Sequence, residues 1–398
     1  MSSTPSTAST SSTPSTPSTP STLLVRGDAA APSSIPAALP ARRAGLLPGW
    51  GWALLGGFVL LSCVLVPWLS LGVAPTSAWH LPSYWVGLAG KIGCYAMVAM
   101  AMDLVWGYGG ILSLGHGLFF ALGGYAMGMY LNRAMSAASG TLPDFMQFMQ
   151  WTRFPWYWAG TGNFGYALFL ALAVPGLLAF VFGYFAFRSR IRGVYFSIIT
   201  QALTYAAMLL FFRNETGFGG NNGLTDFKVL LGFPVGTPGM TVALFSITAL
   251  CLSLSFLLLR WLVQGRFGRL LRAIRDAESR VMFCGYDPLW FKLFAWTLSA
   301  MLCGLAGALY APQVGIINPS EMSTANSIEI AIWAAVGGRG TLVGPMLGAV
   351  VVNAAKSWLT VAFPQFWLYL LGLLFVVVTL YAPGGLAGLL LSWRRRRG

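Results

Sequence analysis

The sequence predicts an all-α, polytopic membrane protein of about ten transmembrane spans with one cytosolic amphipathic helix. Three observations carry this. Of 398 residues, 57% are hydrophobic and 9% charged, with a mean hydropathy of +0.70, whereas a soluble domain carries about a quarter charged residues. Apolar runs of roughly 20 residues, the length that crosses a bilayer, recur along the chain. The 48 Gly and 16 Trp suit packed membrane helices with aromatic rings at the interfaces. The net charge of +14 comes from Lys and Arg clustered at the ends of the apolar runs, which is a topology signal and not a nucleic-acid face.

Residues 2–22 are almost pure Ser, Thr and Pro, with no apolar surface to offset the entropy of ordering, so residues 1–45 are expected to be a disordered cytosolic tail. The membrane domain is expected over 46–392, followed by a basic cytosolic tail at 393–398. Nine spans read as 52–71, 84–106, 110–131, 164–187, 194–212, 240–262, 293–313, 341–361 and 366–386. A tenth stretch, 326–338, is short and contains Glu329, which leaves a full span, a half-helix or a re-entrant segment open. With a cytosolic amino terminus and ten crossings, 18 of the 24 basic residues fall inside, including Arg188, Arg260, Arg339 and Arg394 to Arg397. Ten crossings therefore satisfy the positive-inside rule. Lys91 and Lys356 lie within spans near their outer ends.

Two outer segments are too long to be turns. In 132–163, Trp151, Trp156, Tyr157 and Trp158 read as an interfacial anchor or lid. In 213–239, Gly217-Phe-Gly-Gly-Asn-Asn-Gly has the Gly and Asn of tight turns, read as a plain loop or as a gate. Gly124 and Gly128, and Gly344 and Gly348, form GxxxG spacings suited to close helix packing. Between two spans, residues 265–290 place Leu270, Leu271, Ile274, Val281 and Met282 at roughly helical spacing among Arg and acidic residues. This is a cytosolic amphipathic helix ending near Gly285 and Pro288.

Arg272-Ala-Ile-Arg-Asp-Ala-Glu followed by Gly285, Lys292-Leu-Phe-Ala-Trp and Gly304-Leu-Ala-Gly-Ala-Leu-Tyr resembles the coupling loop and next helix of inner-membrane permeases in branched-chain amino acid ABC importers. Leu112-Ser-Leu-Gly-His-Gly, Gly193-Val-Tyr-Phe-Ser-Ile-Ile-Thr-Gln-Ala and Val336-Gly-Gly-Arg-Gly-Thr-Leu-Val-Gly-Pro extend the resemblance over about 85–390. Within that family, residues 211–227 and the Pro155-Trp-Tyr-Trp stretch look most like the second permease subunit of urea importers. One departure is Arg280-Val281, where alanines commonly precede the glycine.

The resemblance implies a multi-pass subunit of the bacterial inner membrane, paired with a second permease subunit as a heterodimer. It also implies two cytosolic ATPase subunits and an external substrate-binding protein. Its coupling residues would be Arg272, Ala273, Ile274, Arg275, Asp276, Glu278 and Gly285. The cargo would be urea or a related short amide, with branched-chain amino acids as the alternative. The chain has no GxxxxGK[ST] loop, since only Lys356 precedes a Ser and Ala355 stands before it. ATP and Mg are therefore assigned to the partner ATPases, with no cofactor, metal or catalytic residue in this chain.

Ionisable residues inside spans are functional candidates by default. Asp103 lies at the inner end of its span, as a pathway residue or a cap. His116 sits between glycines, as a packed neutral histidine or a substrate contact. Glu329 lies in the weakest span. Ser113, Thr200, Gln201, Thr204 and Asn353 have the amide or hydroxyl chemistry that urea needs, or simply bond their own helices. A different class, an ion-coupled secondary transporter using Asp103, His116 and Glu329, is the main rival. A membrane-embedded enzyme is disfavoured by the lack of a carboxylate or metal constellation.

Overall fold

In the computed structural model, the described residues are 46–191, 193–366 and parts of 369–388. The expected tails at 1–45 and 393–398 lie outside them, and the span expected at 366–386 is interrupted by undescribed positions. Among the described residues, eleven α-helices run in chain order: α1 Gly49–Leu60, α2 Ser83–Asp103, α3 His116–Ser139, α4 Asp144–Phe148, α5 Phe164–Arg188, α6 Val194–Phe212, α7 Pro238–Gln264, α8 Arg266–Phe283, α9 Pro288–Val314, α10 Thr324–Gly337 and α11 Val343–Ala362. A two-residue hairpin, β1 Val229–Leu230 with β2 Phe233–Pro234, is the one sheet among the described residues. Among the described residues, seven helical stretches are long and apolar enough to cross a membrane: Gly49–Gly72, Ser83–Tyr108, Phe164–Arg188, Val194–Phe212, Pro238–Gln264, Pro288–Val314 and Val343–Ala362.

The core is built where small residues let helices close. Gly123 and Gly124 of α3 meet Gly304 and Gly307 of α9 backbone to backbone, and a Cβ at Gly307 would run into the Phe120 carbonyl. The other side of Gly304 faces the carbonyl of Ala171 in α5. The Gly304-Leu-Ala-Gly motif is thus the seam between α3, α5 and α9. Both GxxxG pairs act inside the chain. Gly124 and Gly128 receive Ile317, while Gly344 and Gly348 pack against Gly337 and the Trp333 carbonyl, closing an antiparallel α10–α11 hairpin.

Three expectations shift. The third span begins at His116, not at 110, and continues to Ser139. Gly110, at φ +71°, ends the preceding helix, and α6 staples the intervening turn: Ser197 donates to the Leu112 carbonyl at 2.7 Å and Thr200 accepts from Leu114 N–H at 3.1 Å. Trp158 is no interfacial anchor. It is fully buried, with Arg133 donating to its carbonyl and stacking 5.1 Å over Phe154. Only Trp156 of that stretch projects freely, at 85% exposure.

The expected tenth stretch is α10, whose 14 residues are not among the seven stretches long and apolar enough to cross a membrane. Ile317 pairs with Leu224 of the outer 213–239 segment. The chain then runs inward along α3, until the Glu321 carbonyl lies against Gly117. From there α10 runs to Gly337, and the turn that follows brings Gly340 to Asp103 at the end of α2. Fourteen helical residues span only about 21 Å, short of a bilayer's thickness.

Candidate functional site

Three places collect the polar chemistry. At the α8 end, Asp103 is a latch. It is fully buried, and its carboxylate accepts from Gly340 N–H at 2.6 Å and Leu342 N–H at 3.0 Å. Leu342 has φ +61°, a left-handed conformation that costs a branched residue about 1–3 kcal/mol unless its surroundings impose it. Gly107 must lack a Cβ because one would meet both Asp103 and Gly340 N. Arg339 lies 4.7 Å over the Trp106 ring. The Val336-Gly-Gly-Arg-Gly-Thr motif is therefore the turn that Asp103 holds.

The amphipathic helix grips the same corner. Gly268, Leu271, Ile274 and Val281 of α8 are buried. Arg275 reaches inward to donate to the Gly107 carbonyl at 2.6 Å, and its Nε holds Asp276 at 2.8 Å. That bond keeps the exposed Asp276 carboxyl below its ordinary range. Glu278 pairs with Lys292 of α9 at 2.6 Å, both largely shielded from solvent. Of the expected coupling residues, Ile274, Arg275 and Glu278 thus fasten α8 to the bundle, and Arg272 bonds the Gly268 carbonyl of its own helix. Ala273 and Asp276 face outward, and Gly285 (φ +83°) forms the turn into α9. Beside it Phe283 projects at 90% exposure, with Met282, Tyr286 and Trp290 also exposed.

The second place is a narrow cavity within the bundle. Tyr95 and Val98 of α2, Gly117 and Phe120 of α3, Glu321, Asn326, Glu329, Ile330 and Trp333, and Lys356 of α11 enclose about 30 Å³. Lys356 Nζ donates to both Glu329 oxygens at 2.8 and 3.0 Å. Glu321 accepts from the Tyr310 hydroxyl at 3.1 Å and from Asn326 Nδ2 at 3.3 Å. Lys91 stands about 6 Å over the Tyr95 and Tyr310 rings. This volume admits a water or two.

The remaining candidates are mostly internal fastenings. His116 Nε2 meets Ser299 Oγ at 3.0 Å, and that hydroxyl donates to the Ala101 carbonyl at 2.6 Å. With the serine proton so used, the histidine nitrogen must be the donor. His116 is a packed tie between α2, α3 and α9, edge-on to Trp296 at 5.6 Å. Ser113 caps its own turn through Gly115 N–H, and Thr204, Thr200 and Asn353 bond carbonyls of their own helices. Gln201 reaches Thr324 at the start of α10, at 3.4 Å.

The third place is an outer pocket of about 580 Å³ between the two long outer segments. Asn132, Asp144, Asn214, Asn221, Asn222, Thr225 and Asp226 line it with Phe145, Phe148 and Met149, and no Lys or Arg is among its lining residues. Tyr157 ties the segments together by donating to the Thr216 carbonyl at 2.5 Å.

Sequence reasoning missed Glu321, Asn326, Tyr310 and the Lys356 partnership. The available signal was a cation and a carboxylate in two neighbouring apolar runs, Lys356 and Glu329, since such charges pair when buried.

Residues 84–379 match the family described as branched-chain amino acid transport system, permease component. Over 323 residues the chain is 24% identical to the high-affinity branched-chain amino acid permease protein LivM of Salmonella typhimurium, covering 76% of this chain and 69% of the relative. It is 24% identical to LivM of Escherichia coli over 73% of this chain and 67% of the relative. A probable LivM of Methanocaldococcus jannaschii shares 26% identity over 74% of this chain and 90% of the relative. No solved structure matches the chain.

Proposed function

Because the chain belongs to the branched-chain amino acid transport permease family, we propose that it forms half of the translocation path of an ATP-driven importer of urea or a related short amide. The observation that carries the cargo assignment is the outer pocket. Urea offers four N–H donors and one carbonyl and carries no charge, and four Asn side chains, one Thr and two Asp among the pocket's lining residues match that pattern. A free amino acid brings a carboxylate that would meet no cationic side chain there. Half of the pocket's lining comes from residues 214–226, within the stretch that most resembles urea permeases.

Transport proceeds by mechanical coupling. ATPase subunits press on the outward face of α8, where Ala273, Asp276, Met282 and Phe283 are exposed. Arg275 and the Glu278–Lys292 pair carry that push to the Gly107 corner and to α9, and Asp103 passes it to the α10–α11 hairpin. A second permease subunit and an external binding protein complete the assembly. Ion-driven transport fits less well, since Asp103 is occupied by backbone N–H groups and Glu329 by Lys356.

The amino-acid reading is favoured by the LivM relatives, whose names state that cargo. Uptake of labelled urea and labelled leucine decides between them in cells carrying the whole system, with this chain intact, deleted, or altered as Asn221→Ala with Asn222→Ala. Loss of urea uptake alone supports the proposal. Loss of leucine uptake alone replaces the cargo, and uptake that survives removal of the ATPases overturns the mechanism.

A further inference from the structure

We propose that the cavity between Glu321, Asn326, Glu329 and Lys356 is the intramembrane station of the path, where an uncharged amide is held between the two carboxylates. The proposal rests on the urea reading and gives it a location. Three observations converge on this spot.

The cavity stands where the chain enters α10. Non-helical backbone at membrane depth is tolerated where it is buried in protein or lines a cavity, and residues 317–323 run inward to end here against Gly117. The charges around it balance: Glu321 and Glu329 against Lys356 in the wall and Lys91 above Tyr95 and Tyr310. A neutral guest leaves that balance intact, whereas a net charge would add an uncompensated ion to a low-dielectric site.

The carboxylates retain acceptor capacity. Each carboxylate oxygen has two lone-pair sites, and the Glu321 contacts with Tyr310 and Asn326 are long, at 3.1 and 3.3 Å. A planar diamide presents N–H groups on both sides of its carbonyl, and so bridges two acceptors that a single amine would take one at a time.

The present cavity is too small for urea, which makes this the closed form of the station. Opening requires α10 to move relative to α3, and α10 is continuous with the turn that Asp103 holds.

The test uses the complete importer in proteoliposomes at saturating binding protein and ATP, with urea uptake and ATP hydrolysis recorded together. Glu321→Gln and Glu329→Gln are expected to lower urea delivered per ATP at least tenfold, because each replaces a charged acceptor by a weaker amide. Hydrolysis should persist. Glu321→Asp, which keeps the charge but draws the acceptor back by one methylene, should fall between these and the wild type and covers the case where Glu321→Gln fails to assemble. Wild-type urea per ATP in an assembled Glu321→Gln or Glu321→Asp importer overturns the station. A wild-type importer that moves leucine and not urea instead overturns the cargo assignment, and is read without any variant.

Discussion

Replacing Asp103 by Asn isolates the latch from the rest of the bundle. The substitution preserves shape and removes charge. Wild-type Asp103 offers one oxygen to Gly340 N–H at 2.6 Å and the other to Leu342 N–H at 3.0 Å. An Asn side chain can accept only one of these and turns its amide group toward the second donor. Hydrogen bonds to charged groups contribute about 1.5–3 kcal/mol each. Loss of one, with weakening of the other and release of the left-handed Leu342, lowers the cost of opening the 338–342 turn by about 2–4 kcal/mol. That corresponds to roughly 30- to 700-fold in the open population. Hydrogen–deuterium exchange of a peptide covering 338–342 reads this directly, since amide protection follows local opening free energy. Asp103→Asn should exchange faster by that factor at Gly340 and Leu342, with little change in α5 or α7. In the assembled importer, ATP hydrolysis should continue while urea delivered per ATP drops. Unchanged protection at 338–342 would refute the latch, and unchanged coupling would refute its place in the relay.

Gly304→Ala should separate α3, α5 and α9, because a Cβ there meets the Ala171 carbonyl; a loss of about 1–3 kcal/mol is expected as a lower thermal midpoint in detergent. Lys292→Ala removes the shielded 2.6 Å ion pair with Glu278 and should loosen the α8–α9 junction, read as increased proteolysis within 266–290.

Much of the bundle is legible in the sequence because bilayer length and hydropathy act locally. The spans at 164–187 and 194–212 match α5 and α6 to within one residue at each end. The amphipathic α8 follows its spacing and stops before Gly285. What was not legible depends on partners far along the chain. The start of α3 is set by Ser197 and Thr200, which hold the Leu112–Leu114 turn from more than 80 residues away. Trp158 reads as an interface ring by composition, but Arg133 and Phe154 draw it inside. Arg275 and Glu278 look like surface charges on a coupling helix, yet both point back into the bundle. Asp103 was readable as a cap, but the turn it caps lies more than 230 residues downstream.

The central claim is that this multi-pass membrane protein moves a neutral amide under the drive of partner ATPases. Purified importer in proteoliposomes, supplied outside with binding protein and labelled urea, and at the ATPase face with ATP or a non-hydrolysable analogue, tests it most directly. The account predicts urea accumulation above equilibrium with ATP, none with the analogue, and no accumulation of leucine. Leucine accumulation in place of urea, or urea accumulation without hydrolysis, would contradict it.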